Sequence, residues 1–427
     1  MSGVERRADI QPFVAEAVST LRPEIVAALQ ELVRIPSETG DEGLAQDAVA
    51  RLMRAHDLEV DVWEPDATVL EPHAESVTLD GGFAERPNVV GIWRGQGRGR
   101  SLILNGHIDT VEVGDLSAWS HAPLGGNVVH GRLYGRGACD MKGGIVANLF
   151  AVRALRLAGF ASAGDVIVES TISEEDGGAG ALAAVLRGYI ADGALISEPT
   201  NLAIVTAQGG ALMFRLQVHG LSAHACVRDE GVSAVEKFAY LHKGLLEFEA
   251  RRNAEITHPL YAGMRIKAPI NVGIVRAGSW ASSVPESLIA EGRAGLVPGE
   301  DMATFKSEVV TEIARLAEDD PWLCEHPPQV TWLAGQFAPA GVPVDSPLVE
   351  ALCQAWQETS SSPARIEAVT YGADMRHFVN TGGVPCVMFG AGDVRLAHAP
   401  DESISLEDLL TAIRTTATFI VNWCGVV

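Results

Sequence analysis

The first two hundred residues alternate between two spacings of apolar positions. Apolar side chains recur every three to four residues over 12–34 and 43–56, which is typical of amphipathic helices. Short apolar runs bounded by turn-forming residues predict strands instead. The predicted strands are Asn88–Trp93, 101–104, Val166–Thr171 and 194–197, and further helices are predicted at 144–157 and 180–186. Strands that alternate with helices indicate an α/β fold with a mostly parallel central sheet flanked by helices.

The pattern changes near Gln208-Gly209-Gly210, and the earlier pattern returns after Pro339. The predicted elements between these points are strands 212–218, 270–276, Ser287–Leu296 and 329–333 and helices 232–248 and 302–317; beyond them come helix 347–358, strand 384–389 and helix 406–423. We therefore expect a catalytic domain that is split in sequence, 1–207 and 338–427, with a separate α+β domain inserted at 208–337.

Composition and charge narrow the classes of function. Of 427 residues, 32 are Lys or Arg and 55 are Asp or Glu, which gives a net charge of −23. Affinity for nucleic acid depends on clustered cations, so this balance argues against a nucleic-acid partner. No apolar run reaches the roughly 20 residues that span a bilayer, so we also expect no membrane partner.

The N-terminus and the cysteines bear on the location of the protein. The opening residues, MSGVERRADIQPF, contain two arginines but no apolar stretch after them, unlike a secretory signal. The six cysteines are scattered without paired spacing, which is more typical of a reducing compartment than of a disulfide framework. We therefore expect a cytoplasmic protein.

Five polar clusters lie at or near the ends of predicted strands, where α/β folds place their ligand sites. They are 105–110 (NGHIDT), 135–143 (GRGACDMKG), 174–178 (EEDGG), 197–200 (SEPT) and 397–402 (AHAPDE). In an extended H-x-D segment, His107 and Asp109 point to the same side, so the carboxylate can orient a metal-bound imidazole. The glycines around Asp140 allow the backbone to turn sharply and to present that carboxylate inward.

Each cluster has an ordinary structural explanation when it is taken alone. A single H-x-D can be a surface or core histidine, adjacent glutamates are usual in solvated turns, and a glycine-rich loop can cradle a phosphate. This loop lacks the G-x-x-x-x-G-K-[ST] order, however, and its Asp140 would repel an anion. Taken together, the clusters provide two histidines and three carboxylates, which suit two divalent ions bridged by a shared carboxylate.

The order H-x-D, G-R-G-x-x-D-M-K-G, E-E, S-E-P and A-H-A-P-x-E resembles a known family. It is the co-catalytic di-zinc metallohydrolase family of acetylornithine deacetylase, succinyl-diaminopimelate desuccinylase, aminoacylase and glutamate carboxypeptidase. The resemblance runs from about residue 25 to 420, and its G-R-G-x-x-D-M-K-G segment is highly specific.

The resemblance implies two metal sites that share one ligand. His107 and Glu198 would hold one ion, Glu175 and His398 would hold the other, and Asp140 would bridge the two. The ions would be Zn²⁺, with Co²⁺ or Mn²⁺ as alternatives. The peptide bond that follows the bridging Asp140 is expected to be cis.

The resemblance also assigns the proton chemistry. Asp109 would orient His107. Glu174 would be the general base that takes a proton from the attacking water and later delivers it to the leaving amine.

The inserted domain carries a further resemblance, in the segment HGLSAHA at 219–225. In the family's similar G-x-x-x-H-A segment, the histidine reaches into the active site of the partner subunit and stabilises the oxyanion. This role would fall to His224, which implies a homodimer formed through the inserted lid and dimerisation domain. The alternative is a histidine that packs within the lid. Asn271 resembles a substrate-contacting asparagine of the same lid.

One part of the family pattern is altered. Many relatives end a lid strand with D-x-R-x-x-P, whose arginine binds a substrate carboxylate, but here EGRAGLVP places Gly295 at that position. Arg293, two residues earlier, and Arg376, in GADMR, are the candidate replacements, unless the substrate has no carboxylate there. Trp280, in GSWASSVP, would line a pocket for an aromatic group or pack within the lid.

These observations favour a metal-dependent amidohydrolase that cleaves the amide of a small N-acylated amino acid or amine. Family aminopeptidases tend to carry Asp at the position of Glu198, so a glutamate favours deacylases and carboxypeptidases. The alternatives are a carboxypeptidase or dipeptidase with the same site, or an N-formyl or N-acyl aminopyrimidine deacylase whose substrate lacks an α-carboxylate. A metal-binding protein without catalysis is a further alternative, against which the presence of Glu174 argues.

Overall fold

The computed structural model describes residues 10–427. The α-helices within this range are α1 (Gln11–Arg34), α2 (Gly43–Ala55), α3 (Ala67–Leu70), α4 (Gly143–Leu157), α5 (Ala179–Arg187), α6 (Ala234–Glu255), α7 (Met302–Glu318), α8 (Pro321–Glu325), α9 (Pro347–Thr359) and α10 (Leu406–Cys424). The strands are β1 (Glu59–Trp63), β2 (Asn88–Trp93), β3 (Leu102–His107), β4 (Asn127–Val129), β5 (Arg132–Tyr134), β6 (Val166–Thr171), β7 (Ala194–Ile196), β8 (Ile204–Gln208), β9 (Gly210–His219), β10 (Ile270–Ala277), β11 (Ser287–Leu296), β12 (Gln329–Trp332), β13 (Ala340–Gly341), β14 (Ile366–Val369), β15 (Cys386–Met388) and β16 (Ser403–Ser405).

The larger sheet has the strand order β1-β2-β6-β3-β7-β15-β8-β13, with β14 also paired to β8. The four strands at its centre, β6, β3, β7 and β15, are parallel. On one side of these four strands, β2 pairs antiparallel with β6 and β1 pairs antiparallel with β2. On the other side, β8 pairs antiparallel with β15. The predicted α/β class with a mostly parallel central sheet is therefore confirmed.

Alternate residues of the central strands enter different cores. Leu102 and Leu104 pack into the core that also contains buried faces of α1, α4 and α10, whereas Ile103 packs with residues of α5 on the opposite face. Because both faces of the sheet are covered by helices, the central strands read as continuous apolar runs. This explains why they were recognisable in the sequence.

Several strands are not predicted by the apolar pattern. β1 reads EVDVW, lies at the edge of the sheet and is only partly buried, so its polar positions tolerate solvent. β14 contains only four residues, and β13 only two. Short strands and edge strands bury too little side-chain area to leave a clear pattern.

Residues 210–332 form a second sheet with its own core. The antiparallel strand order is β10-β11-β9-β12, and α6 and α7 cover one face of this sheet with buried apolar side chains. Strand β10 lies at the edge, and its residues Ile274 and Val275 are exposed. A long exposed edge strand is unusual unless another chain covers it.

A small third sheet, β16-β5-β4, lies next to the loop of Asp140. Among the helices of residues 10–427, none combines the length and the apolar character that crossing a membrane requires.

Candidate metal centre

Parallel strands deliver most of the predicted ligands to one edge of the large sheet. His107 is the last residue of β3, so this strand continues three residues beyond its predicted end. Glu174 and Glu175 follow β6, and Glu198 follows β7. The carboxyl ends of neighbouring parallel strands meet at the same edge, which brings these side chains together.

Two groups of possible ligands share one carboxylate. The first group is His107, Asp140 and Glu198, and the second is Asp140, Glu175 and His398. Within each group, one ligand atom from every residue lies within 4.8 Å of the others. Asp140 Oδ1 is 3.1 Å from His107 Nε2, and its Oδ2 is 3.5 Å from His398 Nε2. The two oxygens of Asp140 therefore face the two histidines.

The loop of Asp140 is folded around a buried glutamate. Glu402 accepts hydrogen bonds from the backbone N–H groups of Gly137, Cys139 and Asp140, at 3.1, 2.9 and 3.1 Å. It also receives a 2.8 Å bond from Arg136. The Asp140-Met141 peptide bond is cis. Glu402, 262 residues away in sequence, thus positions the shared carboxylate.

Asp109 connects the first histidine to the glutamate pair. Its carboxylate accepts the backbone N–H groups of Glu174 and Glu175, each at 3.1 Å, and the hydroxyl of Thr39 at 3.0 Å. His107 Nδ1 lies 3.0 Å from the Asp109 carbonyl oxygen and 3.5 Å from its carboxylate. Both contacts occupy Nδ1 and leave Nε2 directed at Asp140.

Negative charge is concentrated in this small volume. Burial, with the charge of Asp140 adding to it, raises the pKa of Glu198 to about 8. Burial also raises the pKa values of Glu174 and Glu175. The hydrogen bonds that His398 donates to the carboxylates of Asp140 and Glu175 raise its pKa to about 10. Cations placed among these groups would offset this concentration of negative charge.

This donor set fits two divalent cations that share Asp140. Imidazole nitrogens and carboxylate oxygens are the ligands that Zn²⁺ and neighbouring first-row metals accept. Each group provides one histidine, one unshared carboxylate and the shared one. His398 is half exposed, which leaves this side of the cluster open to a substrate.

Glu174 lies beside both groups but belongs to neither. Its side chain is buried, and the neighbouring charges that act on it include His107, Glu198 and Glu175. The two adjacent glutamates therefore differ in position: Glu175 belongs to a ligand group, whereas Glu174 does not.

The other predicted residues lie elsewhere. His224 is exposed and lies in the region that forms the four-stranded sheet. Its Nδ1 contacts the backbone N–H and the Sγ of Cys226. Among residues 10–427, no hydrogen bond joins His224 to the ligand groups. Asn271 and Arg293 are direct cross-strand neighbours on β10 and β11.

The two arginines differ in their contacts. Arg293 is partly buried, donates to the carbonyl oxygen of Thr370 at 3.1 Å, and has no carboxylate partner in the described part of the chain. Arg376 is only 2% exposed and donates to the carbonyl oxygens of Ala373 and Gly177 at 2.8 and 2.5 Å. In this conformation Arg376 ties two backbone segments together, and its contact with substrate stays a prediction.

Sequence reasoning missed two side chains of this site. Glu402 is the last residue of the A-H-A-P-x-E segment, four residues after His398, but the resemblance assigned it no role. Tyr371 was not singled out at all. In the part of the chain that the structure describes, its buried hydroxyl has no hydrogen-bond partner, and the charges of Glu198, Asp140 and Glu174 act on it. No local motif identifies Tyr371, because its position depends on how the chain returns from β14.

Comparison with known proteins decides the family. The sequence profile of peptidase family M20/M25/M40 matches residues 103–422, three quarters of the chain. This chain belongs to peptidase family M20/M25/M40. As a member of this M20 family, it is a metal-dependent hydrolase of amide bonds.

Curated relatives and solved structures agree with the M20 assignment. The chain is 32% identical, over 79% of its length and 83% of the relative's, to N-formyl-4-amino-5-aminomethyl-2-methylpyrimidine deformylase of Bacillus subtilis. It is 30% identical to acetylornithine deacetylase of Myxococcus xanthus, over 81% and 87% of the two chains. A solved dinuclear metal-binding peptidase of the M20 family from Bacillus subtilis has the same fold, with a TM-score of 0.66 over 96% and 100% of the two chains at 14% identity.

Proposed function

We propose that this M20 protein is a di-metal deacylase that removes a small acyl group from an amine. Its favoured substrates are N-formyl amines of the aminomethylpyrimidine class. N-acyl amino acids are the wider class. The observation that carries the proposal is the position of Glu174. Its buried carboxylate lies next to both ligand groups, whose own carboxylates are Asp140, Glu175 and Glu198, so Glu174 is free to act as a base.

The proposed ligands follow the two groups. His107, Glu198 and Asp140 would hold one ion, and Glu175, His398 and Asp140 would hold the other. When bound, two divalent ions polarise the amide carbonyl and lower the pKa of water. Zn²⁺ is the favoured ion, and Co²⁺ or Mn²⁺ are alternatives, because the same ligands accept all three.

The remaining steps use side chains of this chain. Asp109 holds His107 in the orientation that directs Nε2 toward Asp140, and it fixes the backbone of Glu174. Glu174 accepts a proton from the water that attacks the acyl carbon. It then donates that proton to the nitrogen of the leaving amine, so a carboxylate and a free amine are released.

The relatives support the substrate class, and two arginines bear on the alternative. The Bacillus subtilis relative is named for deformylation of an aminopyrimidine. A carboxypeptidase or dipeptidase would instead need a cation for the substrate carboxylate. Arg293 is the better candidate for that role, because no carboxylate of the described residues pairs with it, whereas the donors of Arg376 face backbone carbonyls.

A substrate panel tests the proposal. Metal-free protein would be reloaded with Zn²⁺, Co²⁺ or Mn²⁺ and given N-formyl, N-acetyl and N-succinyl amines and dipeptides, each with and without an α-carboxylate. We expect metal-dependent release of amine from N-formyl-4-amino-5-aminomethyl-2-methylpyrimidine. Turnover restricted to dipeptides would favour the peptidase alternative, and no turnover of any member would refute the deacylase.

The domain division and assembly also remain proposals. We assign 1–207 and 338–427 to the catalytic domain and 208–337 to a lid that pairs two copies in a homodimer. The exposed edge strand β10 supports this surface, as do exposed Ile274 and Val275. His224, which is exposed and forms no hydrogen bond to its own site among the described residues, would complete the partner's site.

Mixing two inactive variants tests the shared site. Glu174→Gln retains His224, and His224→Ala retains Glu174, so a mixed dimer contains one complete site. Random exchange makes half of the dimers mixed, so the mixture should recover about one quarter of wild-type turnover after refolding together. Each variant refolded alone is the control. A mixture no more active than the sum of its parts would place His224 in its own subunit's site or outside catalysis.

We further propose a cytoplasmic location and small-molecule partners only. The net charge of −23 supports the absence of a nucleic-acid partner. The absence of a membrane partner stays a prediction.

A further inference from the structure

Tyr371 lies on a backbone segment that is held on both sides. One residue before it, the carbonyl oxygen of Thr370 accepts the 3.1 Å hydrogen bond from Arg293. Two residues after it, Ala373 exchanges two hydrogen bonds with the side chain of Gln208, at 3.1 and 3.0 Å. The backbone that carries Tyr371 is therefore held in place before any substrate binds.

The hydroxyl of Tyr371 is buried and has no hydrogen-bond partner within residues 10–427. Three other tyrosines differ in this respect. Tyr189 donates to Asp61 at 2.6 Å, Tyr240 to the carbonyl oxygen of Leu316 at 3.1 Å, and Tyr261 to that of Val369 at 2.8 Å. A buried hydroxyl without a partner is unfavourable, so its acceptor is expected to arrive with a ligand.

The surroundings of the hydroxyl identify that ligand. Tyr371 packs against the apolar cluster that contains Met141, the residue after Asp140. The charges that act on Tyr371 include those of Glu198 and Asp140, which belong to the ligand groups, and of Glu174. The hydroxyl thus lies near the carboxylates at which the acyl group would be cleaved. A phenol is neutral at neutral pH and is a good donor. The oxygen that gains negative charge in amide hydrolysis is the carbonyl oxygen.

We propose that Tyr371 is a catalytic residue whose hydroxyl donates a hydrogen bond to the carbonyl oxygen of the scissile amide as that oxygen becomes negative. The inference rests on the proposed deacylase function. The phenol keeps its proton throughout, and the proton transfers remain with Glu174. Tyr371 acts within its own subunit, so it contributes whether or not His224 comes from a partner.

Tyr371→Phe removes the hydroxyl alone and tests this role. With zinc-loaded protein and N-formylbenzylamine, kcat should fall about 10²-fold, as for loss of one oxyanion donor, while KM changes little. A tetrahedral methylphosphonamidate of benzylamine should lose affinity by a similar factor. Bound zinc should not change, and the melting temperature should not fall, because the hydroxyl has no partner to lose. Tyr189→Phe, which removes a hydroxyl remote from the site, is the matched control.

The outcomes separate this role from the proposed function. If wild-type protein hydrolyses the amide and Tyr371→Phe retains its kcat and its affinity for the phosphonamidate, the Tyr371 role is wrong and the function stands. A higher KM with unchanged kcat would also overturn it, because the hydroxyl would then bind the ground state. If wild-type protein cleaves no N-acyl amine, the function fails and the role of Tyr371 fails with it.

Discussion

Glu174→Gln should lower kcat about 10³-fold while the protein still binds two metal ions. Gln has nearly the same shape as Glu but cannot accept the proton of the attacking water at neutral pH. Glu174 lies outside both ligand groups, so its replacement removes no metal ligand. Its backbone N–H remains bonded to Asp109, so the local fold should be retained. Steady-state amine release and the metal content of the same sample are the measurements.

Glu175→Gln is the matched control for this experiment, because it makes the same chemical change one residue along the chain. Glu175 belongs to a ligand group with Asp140 and His398, so this variant should lose one of the two ions. The two neighbours are therefore distinguished by metal content. Wild-type turnover in Glu174→Gln would eliminate the assigned base, and loss of metal would make Glu174 a ligand.

Asp140→Asn should abolish binding of both metal ions, and with them turnover. Asp140 is the one residue shared by both ligand groups, and its two oxygens face different histidines. Asparagine offers one neutral oxygen and an amide group that cannot ligate as a carboxylate does. Burial resists ionisation of Asp140, but hydrogen bonds from His107 and His398 lower its pKa, so it is charged at neutral pH.

Thermal unfolding measures this effect without an activity assay. A ligand that binds only the folded state stabilises it by about 4 kcal/mol when present at a thousand times its Kd. Zinc added to metal-free wild-type protein should therefore raise its Tm by several degrees, and zinc should leave Asp140→Asn unchanged. Glu407→Gln, at an exposed glutamate on α10, serves as a control that retains the full shift. An Asp140→Asn protein with two bound ions and the wild-type shift would contradict the shared-ligand assignment.

The chain's fold class was accessible from its apolar pattern because the central strands and the long helices are buried. Their side chains must follow the period of their own element, so Val166–Thr171 and Ser287–Leu296 were predicted at their observed bounds. Strands β1, β8 and β14 were not predicted. They are short or lie toward the edge of the sheet, where neighbouring elements rather than local period decide the conformation.

The sequence by itself determined which chemistry the site can perform, because ligand types and their order after strands are local properties. The resemblance of these local segments to a known family named His107, Asp140, Glu175, Glu198 and His398 as ligand candidates, and the structure brings them together. The tertiary structure alone decided how the site is held and what lines it. Glu402 reaches the Asp140 loop from more than 260 residues away, the donors of Arg376 face backbone carbonyls, and Tyr371 packs against the cluster that contains Met141. Such contacts depend on where distant segments cross, and no local spacing in the chain encodes that crossing.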